Sequence, residues 1–314
     1  MHYGRFMPEL LHMRIGVITN TDTFIPFVYA LVSQQISVHI YFSPSPDDFV
    51  NQKISAFAQQ ININVTQEKN PADLYSWLIK HNFDVCFMLG YKHLIRLDKL
   101  KTCPTPLFNI HFGTLPAYRG STPVFWQLKH GQKIGVAIHK VSEKFDDGPI
   151  YWLKETDIQP HFNYEIANQV LGQICVEGVF YILSLLLNKM PLPVISGIGS
   201  RAYQQRPALK DVSIDWQQMP AAEICNLIRA CNPWNKGALS IFNQQEVKLM
   251  DAQVINTVVS ANTAPGTIIN DENSLHITCC DGNVLNINML FFSGFYLPAY
   301  QAKVFGFVKG QRLC

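Results

Sequence analysis

Apolar and polar positions in the first part of the chain follow two alternating rhythms. Short apolar and β-branched runs at 13–19, 37–43, 61–65, 83–90 and 106–112 predict strands. The run at 83–90 is nearly continuous in apolar character, as in strands covered on both faces. Between these runs apolar residues recur at helical spacing over 24–35, 47–60 and 72–81, and Leu74, Trp77 and Leu78 share one face. The alternation predicts an α/β domain with a mostly parallel sheet and helices on both faces. Functional loops of such sheets lie beyond the carboxyl ends of the strands.

Residues 164–188 predict one long helix, closed by Pro191, Pro193 and Gly197. Glu165, Asn168, Gln169, Gln173 and Glu177 interrupt its apolar character, which reads as too short and too polar for a bilayer span of about 20 apolar residues. It is expected to be a buried helix. The pattern then changes. One helix at 221–231 precedes short strands at 238–242, 247–255, 267–269, 275–280 and 284–291, with Asp281-Gly282 as a hairpin turn before the last. This predicts a small C-terminal β-rich domain, a barrel or a sandwich. The expected organisation is an N-terminal extension at 1–12, an α/β domain at 13–200 and the β-rich domain at 201–314, with the boundary inside 197–211.

Composition adds limits. Hydrophobic residues are 48% and charged residues 15% of the 314, which describes a folded chain with an ample core. The net charge of +2 gives no general attraction to nucleic acid or to a membrane surface. The eight cysteines form no C-x-x-C pair, and Cys86 sits in an apolar run, so they read as core residues of a reducing compartment. No signal-peptide stretch opens the chain. A cytoplasmic protein with no membrane association and no metal is expected.

Chemistry concentrates in residues 107–150. Asn109 and His111 stand two apart at a strand end, so their side chains leave the same face. A loop with Gly113, Pro116 and Gly120 follows, and a second turn, Phe145-Asp146-Asp147-Gly148, brings carboxylates beside a glycine. An amide, an imidazole and a carboxylate suit acyl transfer to an amine. Asn109 and a protonated His111 would donate to a tetrahedral oxyanion, at roughly 3–4 kcal/mol for one good donor. Asp146 would orient His111, raise its pKa and help take the amine's proton. On spacing alone, a strand-end histidine and an Asp-Asp-Gly turn favour an ordinary structural role over a catalytic one.

The whole string carries more. Asn109-Ile110-His111, Leu115-Pro116, Arg119-Gly120, Pro123, Trp126, Gly135-Val136 and Asp146 with Gly148-Pro149-Ile150 together resemble the folate-dependent formyltransferase family. That family includes enzymes acting on methionyl-tRNA, on glycinamide ribonucleotide and on sugar nucleotides. The resemblance implies a catalytic Asn109, His111 and Asp146, and 10-formyltetrahydrofolate as the formyl donor. It implies cofactor contacts from Leu89, Gly90, Tyr91, His93, Leu94 and Ile95, and from Leu115, Pro116, Asp147 and Gly148. Relatives often have Leu-Asp-Thr-Gly where this chain has Phe145-Asp146-Asp147-Gly148, so Asp146 and Asp147 compete for the catalytic role. Ile214-Asp215-Trp216, Ile228-Arg229-Ala230 and Pro233-Trp234 resemble the start of the second domain of the two-domain members, and the resemblance implies a Rossmann-like first domain and a small barrel-like (OB-like) second one. Phe125 and Trp126 read as helix core.

Two acceptors follow from the resemblance: a small amine, such as an amino sugar on a nucleotide, or initiator methionyl-tRNA. The tRNA enzymes carry a basic insertion after the second strand, whereas residues 43–52 here hold Asp47 and Asp48 and no base. From Arg201 onward there are nine Lys or Arg against eight Asp or Glu, without the cationic excess of a phosphate-gripping surface. The Tyr91–Ile95 loop and the ending around Gly306–Gly310 and Arg312 look closer to the domain that formylates a UDP-linked aminopentose. The small amine is the expected partner, and tRNA the alternative. A formyl-folate hydrolase, or a folate-binding module without catalysis, stands as the reading from another class.

Overall fold

The computed structural model describes residues 12–131, 133–196, 203–257 and 263–314. The extension expected at 1–12, apart from His12, lies outside the described residues, as do 197–202 of the expected boundary. The chain divides into two compact units: Met1–Gly120, Gly135–Glu155 and Asn168–Tyr203 form one, and Ser121–Ile134, Thr156–Ala167 and Gln204–Cys314 the other.

The first unit is built on a seven-stranded sheet. Its strands are β1 (Arg14–Thr19), β2 (Ser37–Phe42), β3 (Asn64–Gln67), β4 (Val85–Leu89), β5 (Leu107–His111), β6 (Ile134–Lys140) and β7 (Ile150–Thr156), in the order β3-β2-β1-β4-β5-β6-β7. β1 to β5 pair in parallel, and β6 runs antiparallel to β5. Helices α1 (Ile25–Ser33), α2 (Asp48–Gln60) and α3 (Asp73–His81) supply the crossovers. Asp47 caps α2 by accepting from the Phe49 amide at 2.9 Å, and Leu74, Trp77 and Leu78 are the buried face of α3. β1, β4 and β5 form the middle of the sheet, and their near-continuous apolar runs reflect cover on both faces.

The third strand is displaced from its expected place at 61–65. Ile61 and Ile63 belong to the turn that ends α2, where Asn62 takes φ 52° and the Ile63 amide donates to the Ala58 carbonyl. The strand begins at Asn64 and lies at the sheet edge, exposed along its length. An exposed edge strand lacks the apolar alternation that sequence reasoning looks for.

The long helix α5 (Tyr164–Leu187) has 24 residues and an 18-residue stretch of mean hydropathy 2.0, so on length and composition it is apolar enough to cross a membrane. This corrects the expectation that its polar residues make it too short and too polar. Ala167, Leu171, Cys175, Val179 and Leu183 recur at helical spacing and are buried, and Gly178 lies against Trp152 and Ile138.

The second unit contains α4 (Pro123–Lys129), which packs on α6 (Ala221–Cys231). Its strands are β8 (Ala238–Phe242), β9 (Gln245–Ile255), β10 (Ile268–Asn270), β11 (Leu275–Thr278), β12 (Val284–Phe292) and β13 (Phe295–Pro298). They form one antiparallel sheet in the order β8-β9-β12-β11-β10, with β13 paired to β12. Phe242 stacks on Phe307 at 3.9 Å between centroids, and the Trp216 indole donates to Ser240 Oγ at 2.9 Å. Phe125 is buried, and Trp126 donates its indole N–H to the Gln205 carbonyl.

Candidate active site

β5 ends at His111, and the register of its pairing with β6 places Asn109 opposite His139. The two-residue spacing of Asn109 and His111 aims both side chains to one side, and the turn at 145–146 brings Asp146 to them. Asn109 Nδ2 donates to Asp146 Oδ1 at 3.1 Å, and His111 Nδ1 stands 3.4 Å from that same oxygen. The other oxygen, Oδ2, accepts from the Gly120 amide at 3.0 Å. His111 and Asp146 side chains are only 7% and 10% exposed, so these contacts lie out of solvent, where they are stronger than in water.

Two further groups fix the imidazoles. His111 Nε2 lies 2.6 Å from the Tyr118 carbonyl, which can only accept, so Nε2 carries a hydrogen and Nδ1 faces the carboxylate. Gly113 is required beside this bond: a Cβ there would meet His111 Nε2 at 2.7 Å and the Tyr118 carbonyl at 2.8 Å. His139 Nδ1 donates to the Lys140 carbonyl at 2.9 Å, which leaves Nε2 to accept from the Asn109 amide at 3.0 Å. His139, 2% exposed and 3.5 Å from Asp146 Oδ1, is thus a fourth member of the cluster that sequence reasoning missed. Its signal is a polar residue inside an apolar strand, but its partner is set by β5–β6 register.

The charges are unequal. Burial by itself raises the pKa of Asp146, but the His111 and His139 rings and the Gly120 N–H outweigh it and hold the carboxyl well below the ordinary range. Burial is also the largest influence on His111 and lowers its pKa; Asp146 and the Tyr118 carbonyl pull upward without overcoming it. Asp146 does raise the His111 pKa, as expected of a paired carboxylate, but burial outweighs it, which corrects the expectation of a protonated resting His111. The resting pair carries its charge on Asp146, and a proton arriving at His111 Nδ1 would turn that nitrogen into a donor toward the carboxylate.

The neighbouring carboxylate is turned elsewhere. Asp147 Oδ1 pairs with Arg119 Nη1 at 2.9 Å. Asp146 takes φ 51°, a left-handed conformation that Asp tolerates better than most side chains and that sends consecutive side chains apart. Gly148 packs against the Lys140 carbonyl, where any Cβ would collide.

The residues expected at the cofactor divide by exposure. Leu89, Tyr91, Ile95 and Leu115 are buried; Leu115 packs with Ala137 and Ile150, and Tyr91 donates its hydroxyl to Glu68 at 2.6 Å. Their side chains serve the core, and their backbones are what the loops can offer a ligand. His93 stands 3.6 Å from Glu68, Leu94 is 40% exposed, and Gly90 turns the chain with φ 76°. Pro116 follows a cis peptide bond and is partly exposed. A cavity of about 270 Å³ opens against Tyr91, His93 and Leu94, with Tyr75 and Arg96 among its walls; Asn109, His111 and Asp146 do not line it. Among the described residues no cluster of metal-ligating side chains occurs.

Known proteins agree with this architecture. Methionyl-tRNA formyltransferase of Ruminiclostridium cellulolyticum is 25% identical over 235 residues, covering 73% of this chain and 72% of that protein. The structure of HypX from Aquifex aeolicus in complex with tetrahydrofolic acid is similar over 96% of this chain, with 19% identity and a TM-score of 0.65. This chain spans about half, 48%, of that one. The structure of WlaRD, a sugar 3N-formyl transferase with dTDP and 5-N-formyl-THF, is similar over 90% of this chain and 98% of its own, with 16% identity and a TM-score of 0.67. The N-formyltransferase from Helicobacter canadensis, with folinic acid and dTDP-3-aminofucose, matches 88% of this chain at a TM-score of 0.66. The formyl transferase family model matches residues 13–173, more than half of the chain, and the model of the formyl transferase C-terminal domain matches residues 209–294. The chain therefore belongs to the formyl transferase family.

Proposed function

We propose that this protein transfers a formyl group from 10-formyltetrahydrofolate to the primary amine of a small molecule, an amino sugar attached to a nucleotide. The observation that carries the chemistry is the convergence of Asn109 and His111 on one oxygen of Asp146, at 3.1 and 3.4 Å. The donor set fits a carbonyl: an amide and an imidazole N–H can hold a developing oxyanion, and the imidazole–carboxylate pair can hold a proton. The cofactor supplies the formyl carbon. Burial keeps resting His111 neutral, so its second proton arrives with the reaction: the attacking amine gives it up to the His111–Asp146 pair. The imidazolium so formed, with the Asn109 amide, would steady the oxyanion; on its collapse the formyl carbon–N10 bond would break, and the proton held by the His111–Asp146 pair would pass to the departing folate nitrogen. Each donor exchanges a protein acceptor, the Tyr118 carbonyl or the His139–Asp146 pair, for the substrate oxygen. Backbone groups of Leu89–Ile95, with Leu94 and His93 beside the cavity, and of Leu115–Pro116 and Asp147–Gly148, are the cofactor contacts proposed here.

The choice of acceptor rests on the segment after β2. Ser43 is buried and donates to Glu68 at 2.7 Å, and Asp47 caps α2, so this short connection is committed to local hydrogen bonds and carries no Lys or Arg from 43 to 52. In the second unit Lys236 lies over the Phe291 ring at 4.3 Å, and Arg229 contacts Asn226 at 3.3 Å. The sugar-nucleotide enzymes among the structural neighbours support the same choice, while the methionyl-tRNA relative supports tRNA as the second reading. The test is the ratio of kcat/KM for charged initiator tRNA to that for amino-sugar nucleotides at physiological salt. The small amines are expected to be preferred. Efficient and salt-sensitive formylation of the tRNA, with none of the small amines turned over, would reverse the assignment.

A further inference from the structure

The reaction derived above gives Arg119 no part, yet this side chain has the firmest hold on the turn that delivers Asp146. Arg119 Nη2 donates to the Phe145 carbonyl at 2.7 Å, and Nη1 pairs with Asp147 Oδ1 at 2.9 Å. The next residue, Gly120, donates its amide to Asp146 Oδ2 at 3.0 Å. Two neighbouring residues thereby grip three consecutive residues, 145 to 147. The Arg119 side chain is 14% exposed, and its Nε is buried without a partner, so the two terminal nitrogens carry its hydrogen bonding.

The turn needs such a hold. Asp146 sits at φ 51°, a conformation that is unfavourable for an L-residue unless its surroundings impose it. Phe145 is 41% exposed and contributes little packing to fix it. With Phe145 and Asp147 both tied to one planar guanidinium, the turn has a single way to face, and that way sends Asp146 to His111 and Asp147 to Arg119.

We propose that Arg119 is a positioning residue for formyl transfer: its guanidinium fork holds the 145–147 turn so that Asp146, and not Asp147, meets Asn109 and His111. The proposal rests on Asp146 being the working carboxylate. A lysine at 119 would keep the charge and lose the fork, because an ammonium has no planar pair of donors to span a carbonyl and a carboxylate.

The test compares Arg119→Lys, Arg119→Gln, Arg119→Ala and Asp147→Asn with Asp146→Asn in the full chain. Turnover is measured at saturating donor and acceptor, tetrahydrofolate affinity by fluorescence, and folding by thermal unfolding. Arg119→Lys and Arg119→Gln are both expected to lower kcat about ten- to a hundredfold, the scale of a misplacement near 1 Å, while tetrahydrofolate affinity is kept. Asp147→Asn, which weakens one anchor of two, should lower kcat less. Added guanidinium should restore turnover to Arg119→Ala where methylammonium does not. Parent turnover in Arg119→Lys, or equal rescue by both cations, would overturn the proposal by showing that charge alone suffices. Should the Arg119 variants fail to fold, parent turnover in Asp147→Asn would overturn it by itself. Parent turnover in Asp146→Asn would instead overturn the reading of the carboxylate on which the proposal stands.

Discussion

Alanine at position 113 is expected to damage catalysis through geometry alone. The new Cβ would lie 2.7 Å from His111 Nε2, 2.8 Å from the Tyr118 carbonyl oxygen and 2.9 Å from His111 Cδ2. Ordinary contact begins near 3.4 Å, so the ring and the carbonyl must each retreat by about 0.5–0.7 Å, in a close-packed region that transmits strain. The ring cannot retreat freely, since Nδ1 faces Asp146, and the carbonyl belongs to a backbone whose Tyr118 side chain is buried. The methyl therefore wedges open the 2.6 Å bond between them. Overpacking of this kind costs about 1–3 kcal/mol of stability. A displacement of that size in a catalytic ring lowers kcat about ten- to a hundredfold. Urea unfolding measures the first effect, and formyl transfer at saturating donor and acceptor the second. Parent turnover and an unchanged urea midpoint in Gly113→Ala would refute both the close approach and the placing of His111 in the reaction.

Asp146→Asn is expected to lower kcat at least about a hundredfold, some 2.7 kcal/mol in the barrier, while Asp147→Asn falls short of that loss; steady-state kinetics decide, and the reverse order would move the role to Asp147. The His111 ring should titrate below 6.5, its ordinary value, because burial disfavours the imidazolium. Asp146→Asn should move it lower still, since the carboxylate is the strongest influence raising it; a ring titration by NMR that moves upward in this variant contradicts the pairing. Both folded-state pKa values are depressed, so both groups contribute stability that is present above their unfolded pKa values and lost as pH falls. Denaturant unfolding should find the parent losing stability from about pH 6.5 downward through His111 and again below about pH 3.9 through Asp146, and Asp146→Asn lacking the second loss.

Much of this site is readable in the chain because its parts are local. Asn109 and His111 share a face by strand periodicity, and α3 buries Leu74, Trp77 and Leu78 as their helical spacing requires. What escapes the sequence is set at a distance or by backbone angle. His139 joins the cluster through the pairing of β5 with β6, thirty residues apart in sequence, and nothing in the local pattern encodes that register. Asp146 and Asp147 are indistinguishable as letters; the left-handed φ of Asp146 and the grip of Arg119 separate them. The net direction of the His111 pKa escapes for the same reason. A neighbouring carboxylate is visible in sequence, whereas the depth of burial that outweighs it belongs to the folded chain. At β3 the apolar letters Ile61 and Ile63 serve a helix end, so the strand starts later than the pattern suggests.

The most direct test of the account follows the formyl carbon itself. The parent and His111→Ala are each given labelled 10-formyltetrahydrofolate with a panel of amino-sugar nucleotides and other small amines, with charged initiator tRNA, and with no acceptor. Formate, formylated amine and formylated tRNA are then separated. Label is expected in a small amine with the parent, with acceptor-dependent loss of label from the folate, and transfer at least about a hundredfold slower with His111→Ala while folate remains bound. Label released as formate at the same rate with or without an acceptor, or equal transfer by His111→Ala, would contradict this expectation.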